Sequence, residues 1–214
     1  EYLERVAALI GRYPGCGLYS MGFEVHRPEG VFPNETVMQE GIVGNYFRTA
    51  MRVNLTQTSS VTIPRAVFER LGGFPEGMKL GEDQYVWTKI ARTYPVCYSP
   101  QRFSEFNLMA QNRSAQNYKM ERTPYSFWEF YDPGTPDCNE YIARCEIGKA
   151  LVHSVYGYTD AALEVERRYS YNRHYRLGWW KLRILNRLPV MWRRPLLDSY
   201  KRVTWLVSKK GLLG

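Results

Sequence analysis

Residues 72–87 read Gly72-Gly73-Phe74-Pro75-Glu76-Gly77-Met78-Lys79-Leu80-Gly81-Glu82-Asp83-Gln84-Tyr85-Val86-Trp87. The glycine pair can adopt the left-handed backbone that closes a short helix. A turn follows through Pro75, Gly77 and Gly81. Glu82 and Asp83 then open a second helix, where the macrodipole and free N–H groups favour negative charge. This helix is predicted to run from about 82 to 93 and to stop at Pro95. Asp83 and Trp87 stand at i and i+4 and share a face. Trp87 and Ile90 would anchor that face in the core and hold Asp83 in one place. A carboxylate so held can accept a proton from a substrate hydroxyl. The helix dipole alone also accounts for two acids, and the spacing leaves both readings open.

Upstream, residues 55–63 alternate and are β-branched, which predicts a strand. Pro64 then suits a first helical turn, with Val67, Phe68 and Leu71 on one face. Residues 41–52 predict a short helix, and a polar, Pro-containing loop precedes them. Residues 16–26 predict a strand, and residues 1–13 a helix stopped by Pro14-Gly15. Downstream, a strand is predicted over 96–108, a polar and aromatic loop over 109–136, and helices over 138–152 and 159–170. No repeat or low-complexity segment occurs. Strands interleaved with helices give an α/β class.

The 214 residues are 44% hydrophobic and 15% aromatic, enough for a globular core and far from a disordered composition. No apolar run is long enough to span a bilayer. Cys16, Cys97, Cys138 and Cys145 form no Cys-x-x-Cys pair, so neither a metal knuckle nor a disulfide framework is expected. A reducing compartment follows. The triplets beginning at Asn34, Asn54 and Asn112 match a glycosylation sequon, a pattern that arises often by chance. His26, His153 and His174 are scattered and are expected to be structural.

The net charge of +8 is unevenly spread. Residues 167–214 hold 13 Lys/Arg against Asp198 alone, a local charge of +12, and residues 1–166 carry −4. A basic tail of this kind points to an anionic partner. After Pro189 and Pro195, the apolar residues Leu196, Leu197, Tyr200, Val203, Leu206 and Val207 form a stripe flanked by Lys201, Arg202, Lys209 and Lys210. Such a stripe suits a helix lying on anionic lipid, and it equally suits one packed on the body.

Thr58-Ser59-Ser60-Val61-Thr62-Ile63-Pro64-Arg65-Ala66-Val67-Phe68-Glu69-Arg70-Leu71-Gly72-Gly73-Phe74, followed by Gly81-Glu82-Asp83-Gln84-Tyr85-Val86-Trp87, resembles the acceptor-side half of a family 2 glycosyltransferase of the GT-A fold. The opening helix, the strand at 16–26 and Asn45-Tyr46-Phe47 also resemble its bacterial surface-polysaccharide branch. The resemblance spans roughly residues 1–115 and is specific over 58–87. It implies an incomplete GT-A-like fold, a mixed sheet with flanking helices, over 1–115, followed by a mainly helical, basic C-terminal extension over 116–214. It implies Asp83 as the general base for inverting sugar transfer to an acceptor hydroxyl, supported by Glu82. Trp87 would wall the acceptor site, Ser59 and Ser60 would line a pocket, and Lys79 would approach a diphosphate.

The family's nucleotide-binding βαβ half and its Asp-x-Asp metal motif are not found in residues 1–214, and Phe106-Asn107-Leu108 stands where the family often has a histidine. The resemblance therefore implies the C-terminal part of a larger enzyme, inactive alone. Its Mg or Mn ligands, and most of its nucleotide-sugar site, would lie outside this chain. The expected partners are a nucleotide-sugar donor, a glycan or lipid-linked acceptor, and an anionic membrane contacted through residues 176–210. The expected location is the cytoplasm, peripheral to the inner face of the plasma membrane. Two other readings accompany this one. A non-catalytic glycan- or partner-binding module derived from a transferase is the first. A nucleic-acid binder is the second, and it accounts for the basic aromatic tail without accounting for the acid pair.

Overall fold

The computed structural model describes residues 1–34, 38–78, 80–111 and 125–209, with side chains as far as residue 199. The chain divides into two compact units, Glu1–Ile142 and Ala143–Gly214.

The first unit is α/β, with a mixed sheet and flanking helices. Helix α1 (Tyr2–Arg12) leads into strand β1 (Leu18–Arg27), and β2 (Gly30–Pro33) folds back on it as a hairpin. The two-residue strand β3 (Gly41–Ile42) and helix α2 (Tyr46–Ala50) follow. A 3-10 turn at Thr58–Ser60 leads to β4 (Val61–Thr62) and α3 (Arg65–Arg70). Helix α4 (Glu82–Thr93) then feeds β5 (Val96–Asn107).

Strand β1 is the centre of the sheet. It pairs antiparallel with β2 and β4 and parallel with β5, which in turn pairs antiparallel with β3. Its first six residues, Leu18 to Phe23, are all buried. An uninterrupted buried run marks a strand covered on both faces. The β1–β5 ladder slips twice around Gly22, where β5 carries extra residues. A side chain at Gly22 would sit 2.6 Å from the Pro100 carbonyl oxygen, so only glycine lets the bulge close.

Gly17 imposes a second close approach. Its N–H donates to the Pro95 carbonyl, and an added Cβ would lie 2.5 Å from the Tyr94 Cβ and 2.8 Å from the Ile90 Cγ2. The end of α4 therefore rests directly on the start of β1. Glu40 gathers Arg5 and Arg12 of α1 and accepts from the Ser99 hydroxyl of β5.

Several elements differ from the sequence expectation. Only Val61–Thr62 of the predicted strand at 55–63 pairs. Gln57 and Ser60 cap each other across the 3-10 turn and divert the backbone from the ladder. The predicted helix at 41–52 begins as β3, and its helical part waits for Asn45, whose side chain accepts from the Arg48 N–H. The loop before residue 40 contains β2, placed by the tight turn at Pro28-Glu29. The first compact unit runs on to Ile142. The 3-10 turn Phe127–Phe130 packs on α4 through Tyr85 and Phe130, whose ring centroids are 4.9 Å apart.

The second unit is helical. It takes the later part of α5 (Pro136–Val155) with α6 (Thr159–Arg168), α7 (Arg176–Arg187) and α8 (Val190–Lys209). Buried Glu166 on α6 organises it. Burial by itself would raise that carboxyl's pKa; hydrogen bonds from Arg187 and Asn186 outweigh the penalty and hold it below its usual value. Pro195 lies within α8 and does not end it. No helix among the described residues is long and apolar enough to cross a membrane.

Two predictions follow from these contacts. Gly17→Ala should destabilise the first unit by roughly 1–3 kcal/mol, read as a lower urea midpoint, because the colliding atoms lie near the backbone of Ile90 and of Tyr94, the residue that ends α4. His153 is buried, and desolvation, helped by Lys149, lowers its pKa to about 4. The unfolded chain therefore takes up a proton that the folded one refuses as the pH falls from about 6.5 towards 4. Stability should fall across that window by up to about 1.4 kcal/mol per pH unit beyond other groups, and His153→Gln should flatten that part of the profile in urea titrations.

Candidate active site

The acid pair directly follows a left-handed glycine turn, and its helix is tied to the end of α3. Helix α3 starts after Pro64 and ends at Gly72 and Gly73, both left-handed at φ 83° and 66°. The Gly73 N–H returns to the Phe68 carbonyl. Phe68 meets Phe74 edge-on at 5.4 Å, and Phe74 meets Trp87 at 6.2 Å. This aromatic chain joins the end of α3 to the middle of α4. Lys89 of α4 reinforces the joint by donating to the Leu71 carbonyl at 3.0 Å. Gly81, left-handed at φ 80°, then turns the chain into α4.

Glu82 and Asp83 occupy the first turn of α4 and are half-buried. The Asp83 carboxylate is held at both oxygens. Oδ1 accepts from the Gln84 N–H at 2.7 Å, and Oδ2 accepts from the Thr58 hydroxyl at 3.3 Å. Each oxygen keeps a further lone pair. Glu82 makes no hydrogen bond or ion pair among the described residues. Thr58 belongs to the 3-10 turn before β4, so the contact spans 25 residues of sequence. Nothing in the sequence around Thr58 marks it as a partner of Asp83. A hydroxyl at that distance from an acid leaves no periodic signal.

The other expected site residues are dispersed. Ser59 lies beside Thr58 and is exposed, with its N–H bound to the Gln57 side chain. Ser60 is fully buried, and its hydroxyl donates to the Gln57 carbonyl, so it caps the turn instead of lining a pocket. Lys79 lies outside the described residues. Trp87 is only 2% exposed and faces the core. It anchors α4 and cannot present a ring face to a sugar without leaving that position. Its indole N–H is buried with no partner among the described residues.

Tyr85, next on α4, is buried and donates to Glu129 at 2.7 Å. Burial, and then the neighbouring Glu129 carboxylate, push its hydroxyl pKa well up, so it stays a proton donor to that acid. The pair ties the 3-10 turn at 127–130 to the buried side of α4. His26, at the far end of β1, lies opposite Asn107 of β5 and 3.4 Å from the Glu105 carboxylate. Asn107 turns its own oxygen to the Met109 N–H.

A cleft of about 280 Å³ opens beside the β1–β2 hairpin. Phe23, Phe32, Arg27, Arg52, Asn34 and Asn54 are among its walls, and the acid pair is not. Asn34 is shaped by three bonds, accepting from the Phe23 N–H and donating to the Asn54 carbonyl and the Tyr98 hydroxyl. No group of three or more His, Cys, Asp or Glu side chains among the described residues could hold a metal ion. These residues alone do not fit a divalent metal.

Chemically, the arrangement offers an anchored helix whose mouth carries one carboxylate oriented by a threonine and one left free of such contacts. Trp87→Ala should lower stability by about 3–5 kcal/mol in urea unfolding, as expected of a core aromatic. A tryptophan serving as a solvent-facing platform would cost no more than about 0.5 kcal/mol.

Compared with protein-family models, with curated proteins and with solved structures, the chain matches none.

Proposed function

We propose that this chain is the acceptor-side part of an inverting glycosyltransferase with a GT-A-like fold, acting in surface-glycan synthesis at the cytoplasmic face of a membrane. The observation that carries the reading is the fixed Asp83 carboxylate at the mouth of α4, within a half-buried acid pair. Its setting in the Ser-Ser-Val and Gly-Gly-Phe sequence context agrees with this. In the proposed reaction, Asp83 accepts the proton of an acceptor hydroxyl as that oxygen attacks the anomeric carbon of a nucleotide-sugar. The sugar–phosphate bond breaks, and the leaving nucleotide carries away the bonding pair. Thr58 is a positioning residue that aims one carboxylate oxygen, leaving lone pairs of both oxygens for substrate. Glu82 supports the acceptor. Divalent-metal chemistry, which the family uses to stabilise the leaving diphosphate, is proposed only for residues beyond this chain.

The cleft beside β1 and β2 favours a second reading, a glycan-binding module without catalysis. It combines aromatic and guanidinium groups with amides, and it is built without the acid pair.

In protein expressed from the whole reading frame, Asp83→Asn should lower sugar transfer by about 10²–10⁴-fold with an unchanged circular-dichroism spectrum. Thr58→Val should cost less and act on turnover more than on acceptor binding. Unchanged turnover in Asp83→Asn would remove the assigned base. Glycan binding that survives Asp83→Asn but is lost in Arg52→Ala would favour the binding module.

A further inference from the structure

Helix α7 carries two apolar stripes on opposite faces. At about 100° per residue, Trp179, Leu182 and Leu185 form one, and Leu177, Trp180 and Ile184 form the other. The first stripe is buried, and the Trp179 indole donates to the Glu166 carbonyl of α6 at 2.8 Å. The second faces water, with Leu177 76%, Trp180 45% and Ile184 54% exposed. The chain then turns at Pro189 and presents Met191 at 75% and Trp192 at 60% exposure. Arg193, next in sequence, is buried and donates to Ser154 and Thr159, which holds the start of α8 in place. One stripe suffices to pack α7 into its unit. The other stays exposed among the described residues.

The charge around this face is of one sign. Residues 143–214 carry 15 Lys/Arg against five Asp/Glu, and no acid occurs between Arg167 and Leu197. Arg176 and Arg183 lie over the indoles of Trp179 and Trp180 at 4.7–6.0 Å. Arg173 and Arg194 are exposed nearby in sequence, whereas Arg187 is committed to Glu166. Exposed tryptophans bordered by guanidinium groups match the chemistry of a bilayer's headgroup layer, where the indole is half-wet and the cation reaches phosphate. A second copy of this unit would bring like charges together. A nucleic acid would meet the cations but leave Leu177, Ile184 and Met191 in water.

We infer that the exposed α7 stripe and the Met191-Trp192 corner form a docking surface for an anionic lipid bilayer, with the indoles and aliphatic chains in the interface and the arginines on lipid phosphates. The inference is independent of the transferase reading, since it uses no residue of the first unit.

The test mixes the full chain with vesicles of phosphatidylcholine alone and with about one third phosphatidylglycerol, followed by co-sedimentation and quenching of tryptophan fluorescence by brominated acyl chains. Expected are binding at least about tenfold tighter to the anionic vesicles, loss of that advantage in high salt, and quenching by the brominated lipid. Leu177→Ser with Ile184→Ser, both at exposed positions, should weaken binding about tenfold or more. Trp192→Ser provides an independent variant with the same expected direction. Equal affinity for neutral vesicles, absence of quenching, or undiminished binding by both variants would overturn the proposal. So would a dimer in sedimentation that the double variant dissociates without any change in vesicle binding.

Discussion

The first unit depends on the contact between the end of α4 and the beginning of β1. Gly17 leaves no room for a side chain beneath Tyr94 and Ile90, and its N–H is already spent on the Pro95 carbonyl. Tyr94 is extended before Pro95, so α4 must stop there and β5 must begin beside β1. One close approach thereby sets the parallel pairing of the two longest strands and the position of the helix between them.

The consequence reaches the other end of α4. Ile90 and Trp87 are buried, Lys89 is tied to the end of α3, and Tyr85 is tied to Glu129. A helix fixed at four successive levels has little freedom at its first turn. Glu82 and Asp83 are therefore presented at a defined place, and the Thr58 hydroxyl can reach one carboxylate oxygen. Orientation of this kind is what a proton acceptor needs, because transfer falls off steeply when the acid is misplaced. Trp87 lies behind that first turn as the buried anchor of its helix.

The second unit is built on a different constraint. Glu166 is buried and survives as a carboxylate because Arg187 and Asn186 reach it, and its backbone carbonyl takes the Trp179 indole. These bonds choose which side of α7 turns inward. Trp179 and Trp180 are adjacent in sequence and have opposite fates for that reason, one buried and one in water.

The sequence by itself determined what is local. The glycine pair after Leu71, Gly81 before two acids, and Pro95 after Tyr94 placed α3 and α4 nearly to the residue, because caps and prolines act within one turn. The apolar run at 16–26 likewise located β1. The α/β class and the uneven charge were also legible. Tertiary structure decided what depends on partners far along the chain. Residues 55–63 had the composition of a strand, but the Gln57–Ser60 cap competed with the ladder and left two paired residues. Asp83 was visible as an acid at a helix mouth, whereas its partner Thr58 was not, since no spacing rule links residues brought together by a fold. Burial of Trp87 and Ser60, and exposure of Trp180 and Ile184, rest on which face each element turns to its neighbours. Periodicity marks an apolar stripe; only packing decides whether that stripe is covered.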